Sequence, residues 1–437
     1  MNKVLTFLLF CGGFFSAAAQ DSKPTLLSLD AAVAAALEYN HDLYVVALQR
    51  EQAENSATLG NAGALPALRA TAGVNYSNQN SDLEFATGQS QVVDGAQSAA
   101  QNASLALSQI LFSGGALQRT YGVLKKAAAI AGVQELQQMN TTVAQAHSQY
   151  YAIALLQETV WTAEVNMTIS LDRYERAKLT HSLGGSNATE LLAAEVALNR
   201  DKITLMDART QLANAKNTFR SFAGLSADFE VTDKVGDDFA MPMALEAMVE
   251  AALENNPGLQ LVRMGEETAQ LQYQLSQSTL FPTVSAQMSY GLNQSQAEAG
   301  FLSASQQTGL NAGLTLSYDL FGGGRSRTQR QNAALDVEIA SRRRLQAEEN
   351  IATSVRNAVE VFVNAQAKYE LEQTNVLVAQ QNFEKTKERY HRGQLSFLEF
   401  REAQLGLLNA ENGKTAALFQ ARNAHIALWQ LVQAFDL

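Results

Sequence analysis

The sequence predicts a mainly α-helical fold with a small β part, written twice along one chain. Three observations carry this. Arg325–Arg392 is a run of 68 residues with no Gly or Pro, bounded by Gly322-Gly323-Gly324 and Gly393. Without helix breakers it reads as one helix, about 100 Å long at 1.5 Å per residue. The chain repeats itself at a half-protein offset. Each half also holds two segments whose polarity alternates with period two.

The repeat sets the order of elements. Asp30–Asn40 matches Glu246–Asn256 at an offset of 216, as Leu65-Pro66 matches Phe281-Pro282 and Arg173-Tyr174-Glu175-Arg176 matches Arg389-Tyr390-His391-Arg392. Leu111-Phe112-Ser113-Gly114-Gly115 matches Leu320-Phe321-Gly322-Gly323-Gly324 at 209, as Ala194-Glu195 matches Ala403-Gln404. A period this long is a duplicated half-protein rather than a solenoid repeat of ~20–50 residues. The expected halves are residues 20–229 and 230–437, meeting near Asp228–Met241.

Each half opens with a short helix (Asp30–Tyr39; Leu245–Asn255), then a medium helix (about 42–62; about 258–279). Pro66 and Pro282 stop the helices and a period-two pattern begins. Strands are expected at about 67–77 and 102–112, and at about 283–293 and 310–320. Polar stretches at about 78–101 and 294–308 read as loops. The Gly corner then launches the long helix (about 116–180; 325–392), and a turn leads to a last helix of roughly 35–40 residues. In the long helix Ile351, Val355, Ala358, Phe362, Ala365, Tyr369, Val376, Ala379 and Phe383 form a coiled-coil seam, broken at Glu372.

Met1–Ala19 reads as a secretory signal: Lys3, an apolar stretch Val4–Phe15, and Ala17-Ala18-Ala19 as the cleavage site. The only cysteine, Cys11, lies within it, so the mature chain has no thiol or disulfide. The formal charge is −11, which argues against nucleic-acid binding. The five histidines are scattered without metal-ligand spacing, and Gly322-Gly323-Gly324-Arg325 lacks the ending of a phosphate loop. No cofactor, metal or catalytic group is expected.

After the signal, no apolar run approaches the ~20 residues of a membrane helix, so a membrane would have to be crossed by strands. The strands are about ten residues long. Leu68, Ala70, Ala72, Val74 and Tyr76 alternate with Arg69, Thr71, Gly73, Asn75 and Ser77, and Val284, Ala286, Met288 and Tyr290 with Thr283, Ser285, Gln287 and Ser289. This suits a wall between lipid and water. An ordinary half-buried sheet gives the same alternation, but nothing else in the chain is placed to cover it. Phe112, Phe281 and Phe321 fall where an interfacial girdle would lie. Four strands cannot close a barrel, so several copies must join.

The duplicated helix–helix–hairpin–helix–helix unit, the Leu-Phe-(Ser/Gly)-Gly-Gly corner and the stretch Arg389-Tyr390-x-Arg392-Gly393-x-x-Ser396-x-x-Glu399 resemble the TolC family of outer-membrane efflux proteins, over residues from about 28 to 434. The resemblance implies a homotrimer in outer-membrane lipid: a 12-stranded β-barrel continuous with a periplasmic helical tunnel. It implies a passive exit duct of a tripartite efflux or type I secretion system. A periplasmic adaptor and an inner-membrane transporter of RND or ABC type would be its partners. It places a constriction at the far turn, where Glu399 and Glu402 would ring the lumen and Tyr390 would help latch the closed state. Leu395 stands where the family has a basic latch residue. Ser396-x-x-Glu399 is also a capping box, and Asn187-x-x-Glu190 resembles one, so Glu399 and Glu190 read first as caps and Glu402 as the stronger gate residue. The turns at Gly184-Gly185 and Gly393 would meet the adaptor. A water-soluble periplasmic coiled-coil scaffold or chaperone is the alternative reading.

Overall fold

The structure is a computed structural model. It describes residues 25–184, 188–232, 235–236, 238–241 and 243–433. The expected signal segment, Gly185 and Asn187 lie outside these residues. In chain order the elements are β1 (Thr25–Leu27), α1 (Leu29–Tyr39), α2 (His41–Ser56), β2 (Ala67–Glu84), β3 (Ser90–Phe112), α3 (Ala116–Ser182), α4 (Ala188–Ala223), β4 (Phe229–Val231), α5 (Leu245–Asn255), α6 (Pro257–Gln277), β5 (Thr283–Ala297), β6 (Ala304–Ser317), α7 (Arg325–His391) and α8 (Phe397–Val432).

The duplication is visible in the lengths. The helices α3 and α7 have 67 residues each, and α4 and α8 have 36 each. The corners before the long helices share one backbone. Gly114 and Gly115 have φ of 60° and 82°, and Gly323 and Gly324 have 63° and 81°. Two consecutive left-handed residues turn the strand into the helix, a conformation that only glycine adopts without strain.

Along the upper half of the rods the helices lie in the order α2–α3–α6–α7, and along the lower half α4–α3–α8–α7. The two long helices span both layers, and each is paired with a broken partner. Where the layers meet, α1 and α5 wedge against the rods. Ala32 and Ala36 pack with Tyr150, Ile153 and Phe219, while Met248, Val249 and Ala252 pack with Val355, Phe362 and Leu428. Burying each large apolar side chain stabilises the fold by about 1.5–3 kcal/mol. The three-residue parallel pair β1–β4 ties the N-terminal segment to the stretch joining the halves, and Tyr150 Oη donates to the Leu27 carbonyl at 2.9 Å. Three residues show no period, so sequence reading missed this pair.

The α7 seam runs through Val355, Val359, Phe362, Ala365, Tyr369 and Phe383. Val359 rather than Ala358 is the buried member at its turn. The break at Glu372 has a counterpart: a Cβ on Gly413 of α8 would sit 3.0 Å from the Glu372 carboxylate. Glycine there makes room for the acid. Helix α2 ends at Ser56, short of the expected 62, because a turn containing Gly60 and Gly63 (φ 77°) follows.

The four long strands form one antiparallel sheet in the order β2–β3–β5–β6. Three run further than expected, 67–84, 90–112 and 283–297 against 67–77, 102–112 and 283–293, while β6 covers 304–317 against 310–320, starting earlier and stopping three residues short. The Ser-, Gln- and Asn-rich stretches expected as loops are mostly paired strand. The hydrogen bonds that build the ladder are between backbone groups, so polar side chains do not end it. The pairing β2–β3 continues to Glu84↔Ser90, with an irregularity between Gln79 and Ser81 where Asn80 Oδ1 accepts from Gly95 N at 2.7 Å.

Register sorts the faces. Leu68, Leu107, Met288 and Ala312 lie in one row across all four strands, and Ala70, Leu105, Tyr290 and Leu310 in the next. No helix covers this apolar face: Leu68 is 70% exposed, Tyr76 61%, Tyr290 57% and Leu314 73%. The opposite face carries Thr71, Ser104 and Gly291 in one row, with the Thr71 and Ser104 hydroxyls 2.9 Å apart. Among the described residues, no helix is long and apolar enough to cross a membrane.

Candidate functional site: the far tip of the helical rods

The tip lies at the end of the rods away from the sheet, where α3 turns into α4 and α7 into α8. Gly184 (φ 77°) and Gly393 (φ 71°) make the left-handed turns that end the long helices. Arg176 Nη1 and His391 Nδ1 bridge the ends of α3 and α7 at 2.6 Å.

The expected gate residues fall into two groups. Glu399 closes a capping box: Ser396 N–H and Ser396 Oγ–H both donate to Glu399 Oε2 at 2.8 Å, and Glu399 N–H donates back to Ser396 Oγ at 3.4 Å. The backbone hydrogen bond, helped by the hydroxyl, holds this carboxyl below the usual range. Glu402 is exposed on the same helix and, among the described residues, has no ion-pair partner. Tyr390 is half-buried and stacks on Phe400 with ring centroids 4.8 Å apart and planes 11° apart. Burial, and then the charge of Glu190, pushes its phenol up. The charge of Glu190, in the first turn of α4, thus reaches Tyr390 near the end of α7. Leu395 is half-buried in the turn.

Above these residues sits a buried polar network. Arg401 of α8 grips Asp201 of α4 with two parallel bonds, Nη1 to Oδ2 and Nη2 to Oδ1, both 2.7 Å. Ser170 of α3 donates to Asp201 and accepts from Arg401 at 3.2 Å. Gln404 Nε2 donates to Asn166 Oδ1 at 2.7 Å, and Arg173 Nη1 donates to Gln404 Oε1 at 3.0 Å. Arg173 is 2% exposed and lies 4.6 Å over the Phe397 ring. Among the described residues its Nε and Nη2 have no hydrogen-bond partner. Desolvation, and then the neighbouring Arg401, lower its pKa to about 10. Two buried guanidiniums therefore share one buried carboxylate.

The network fastens three helices where apolar packing would be expected. From the start of α4 the buried residues run Ala194, Leu198, Asp201, Leu205 and Ala208, alternating steps of four and three, before Phe219 and Ala223. Asp201 thus occupies a coiled-coil seam position. In α3, Asn166, Ser170, Arg173 and Ala177 do the same. A charged or polar residue in a seam was the signal in the sequence. The repeat had marked Arg173, but its match Arg389 is exposed, because equivalent positions in the two halves face different neighbours. A bidentate pair of this kind sets register and orientation as much as it stabilises.

The comparisons with known proteins agree with this architecture. The chain is similar in fold to the Campylobacter jejuni CmeC outer membrane channel, at 15% identity, covering 99% of this chain and 94% of that one with a TM-score of 0.76. It is similar to CusC at 15% identity, covering 94% and 93% with a TM-score of 0.75. It is similar to the open state of the Neisseria gonorrhoeae MtrE outer membrane channel at 15% identity, covering 92% and 88% with a TM-score of 0.73. The sequence pattern of the outer membrane efflux proteins matches residues 32–225 and 248–432, most of the chain and both halves of the repeat, and on that match the chain belongs to the outer membrane efflux protein family.

Proposed function

We propose that this protein is the passive exit duct of a tripartite efflux or type I secretion system. Three copies close their four-stranded sheets into a 12-stranded barrel in the outer membrane, over a helical tunnel through the periplasm. The observation that carries this is the uncovered apolar sheet face mounted on helices about 100 Å long. A water-soluble scaffold would have to cover that face, and nothing among the described residues does.

The open sides support self-association. In the sheet β2 and β6 lack outer partners. The outer helices beside them expose apolar rows: Tyr44, Val45 and Leu48 on α2, Leu192, Val196, Ile203 and Met206 on α4, and Leu335, Ile339 and Leu371 on α7. Each copy thus presents α7 on one side and α2 with α4 on the other, a head-to-tail contact that closes into a ring. Twelve strands leave room for a lumen, where eight would be filled by side chains.

The tip is the gate in this reading. Glu402, with Glu399 and Glu190 as capping or supporting acids, gives the three-fold tip a ring of carboxylates that favours cations. Tyr390, wedged on Phe400, and the Asp201–Arg401 pair hold the two helix pairs together. The Gly184-Gly185 and Gly393 turns offer the surface for a periplasmic adaptor, which links the duct to an RND or ABC transporter that supplies the energy. The two halves, 20–229 and 230–437, each contribute one hairpin and one helix pair, and Met1–Ala19 directs export. The purified protein is expected to run as a heat-sensitive trimer in detergent and to give unitary conductance steps in planar bilayers. A detergent-independent monomer without conductance would refute the reading.

A further inference from the structure

The barrel wall is nearly free of charge. Over 67–79, 96–112, 283–297 and 304–317, the paired strands below the outer hairpin carry one side chain that is charged at neutral pH, Arg69. Its row is Arg69, Ala106, Ser289 and Asn311, on the polar face. It is exposed, and no carboxylate among the described residues pairs with it. It borders a hollow of about 770 Å³ lined also by Ser104, Ser108, Gln287, Asn311 and Thr315. It stands two residues after the start of β2, beside the helices, so it lies at the inner mouth of the barrel. Its counterpart in the second half is Ser285, so the duplication does not account for an arginine there.

We propose that Arg69 is the charge-selective element of the barrel. One copy from each protomer forms a cationic ring that concentrates anionic solutes at the inner mouth and repels cations. The inference rests on the trimeric channel reading. Twelve strands ~4.8 Å apart and tilted ~40° close a ring of about 12 Å radius. A guanidinium reaching roughly 6 Å from the wall then sits about 6 Å from the axis. The Debye length at physiological salt is about 8 Å, so the ring acts across the whole lumen, and it fades at molar salt, where that length is about 3 Å.

The test is block of single channels by pyranine, a pyrene trisulfonate, added to the barrel side of a planar bilayer. Wild-type channels should be blocked, with the block weakening steeply as salt rises. Arg69→Gln should weaken block at least about tenfold, from three unit charges acting on a trivalent anion through screened water. Arg69→Lys should keep the block. Arg69→Glu should abolish it and strengthen block by a trivalent cobalt hexammine cation added from the same side beyond what the Glu402 ring gives the wild type. Conducting Arg69→Gln channels blocked as strongly as wild type would overturn the inference and leave the channel standing. Absence of conductance in the wild type would instead overturn the channel reading itself.

Discussion

Replacing Asp201 with Asn tests what holds the helices together near the tip. Its side chain is 3% exposed and that of Arg401 10%, so the pair is desolvated on both sides. Removing one partner of such a pair costs about 3–5 kcal/mol, because the other charge is left buried. Here the cost belongs at the upper end. Arg173, 2% exposed with two unpartnered nitrogens, sits beside Arg401, so losing Asp201 leaves two adjacent guanidiniums without a counter-charge. Native-state hydrogen exchange reads this locally. Amides in the first turns of α8 should exchange roughly three to four orders of magnitude faster in Asp201→Asn, while those of α1 and α5 stay unchanged. Arg401→Gln should open the same region. Asp201→Leu combined with Arg401→Met should recover part of the protection, since an apolar pair replaces the buried ionic one at little cost while Arg173 stays buried without a counter-charge. Two single changes that simply add in the double variant, or protection changes spread evenly over the chain, would refute the argument.

Three other outcomes follow from the same physics. His147 and His425 are held below the ordinary histidine range by burial, with Arg422 adding to the effect at His425. The unfolded chain therefore takes up protons first as pH falls through about 6.5, and stability declines below that pH. Thermal melts should show a shallower acid decline in His425→Phe, which keeps the stacking on Phe362 at 5.2 Å. Gly224 has φ 68° and a Cβ there would fall 2.1 Å from the Tyr39 ring, whereas Gly88 has φ 81° with open space around it. Gly224→Ala should lower stability by about 1–3 kcal/mol and Gly88→Ala by visibly less; equal melting shifts would mean the ring contact is unimportant. Glu402→Ala should reduce cation preference and divalent block in bilayer recordings, and unchanged values would remove Glu402 from the gate.

Much of the scaffold was legible because its signals are local. A run without Gly or Pro delimits a helix, so α3 and α7 end within two residues of their expected bounds. The left-handed Gly pairs fix the corners whatever surrounds them. Strand length was underestimated because polar side chains were read as loop, while the ladder is built by backbone groups. The tip was harder. Glu399 showed itself as a cap by its spacing from Ser396, but the network at Asp201 depends on which faces of α3, α4 and α8 meet. Only the heptad position of Asp201 hinted at it. Arg173 and Arg389 show the same limit from the other side. The repeat aligns them, yet one is buried among three helices and the other faces solvent.

Lipid exposure of the sheet is the claim on which the account rests, and residues 20–437 contain no cysteine, which suits a direct measurement. Single cysteines placed at Leu68, Leu105, Tyr290 and Leu314, and at Thr71, Ser104 and Asn311, can be labelled with a fluorophore in reconstituted vesicles. The account predicts quenching by nitroxide lipids at the first four positions, and by a water-soluble quencher at the last three. Equal quenching of both sets from the water phase, or protection of the first set from lipid, would contradict it.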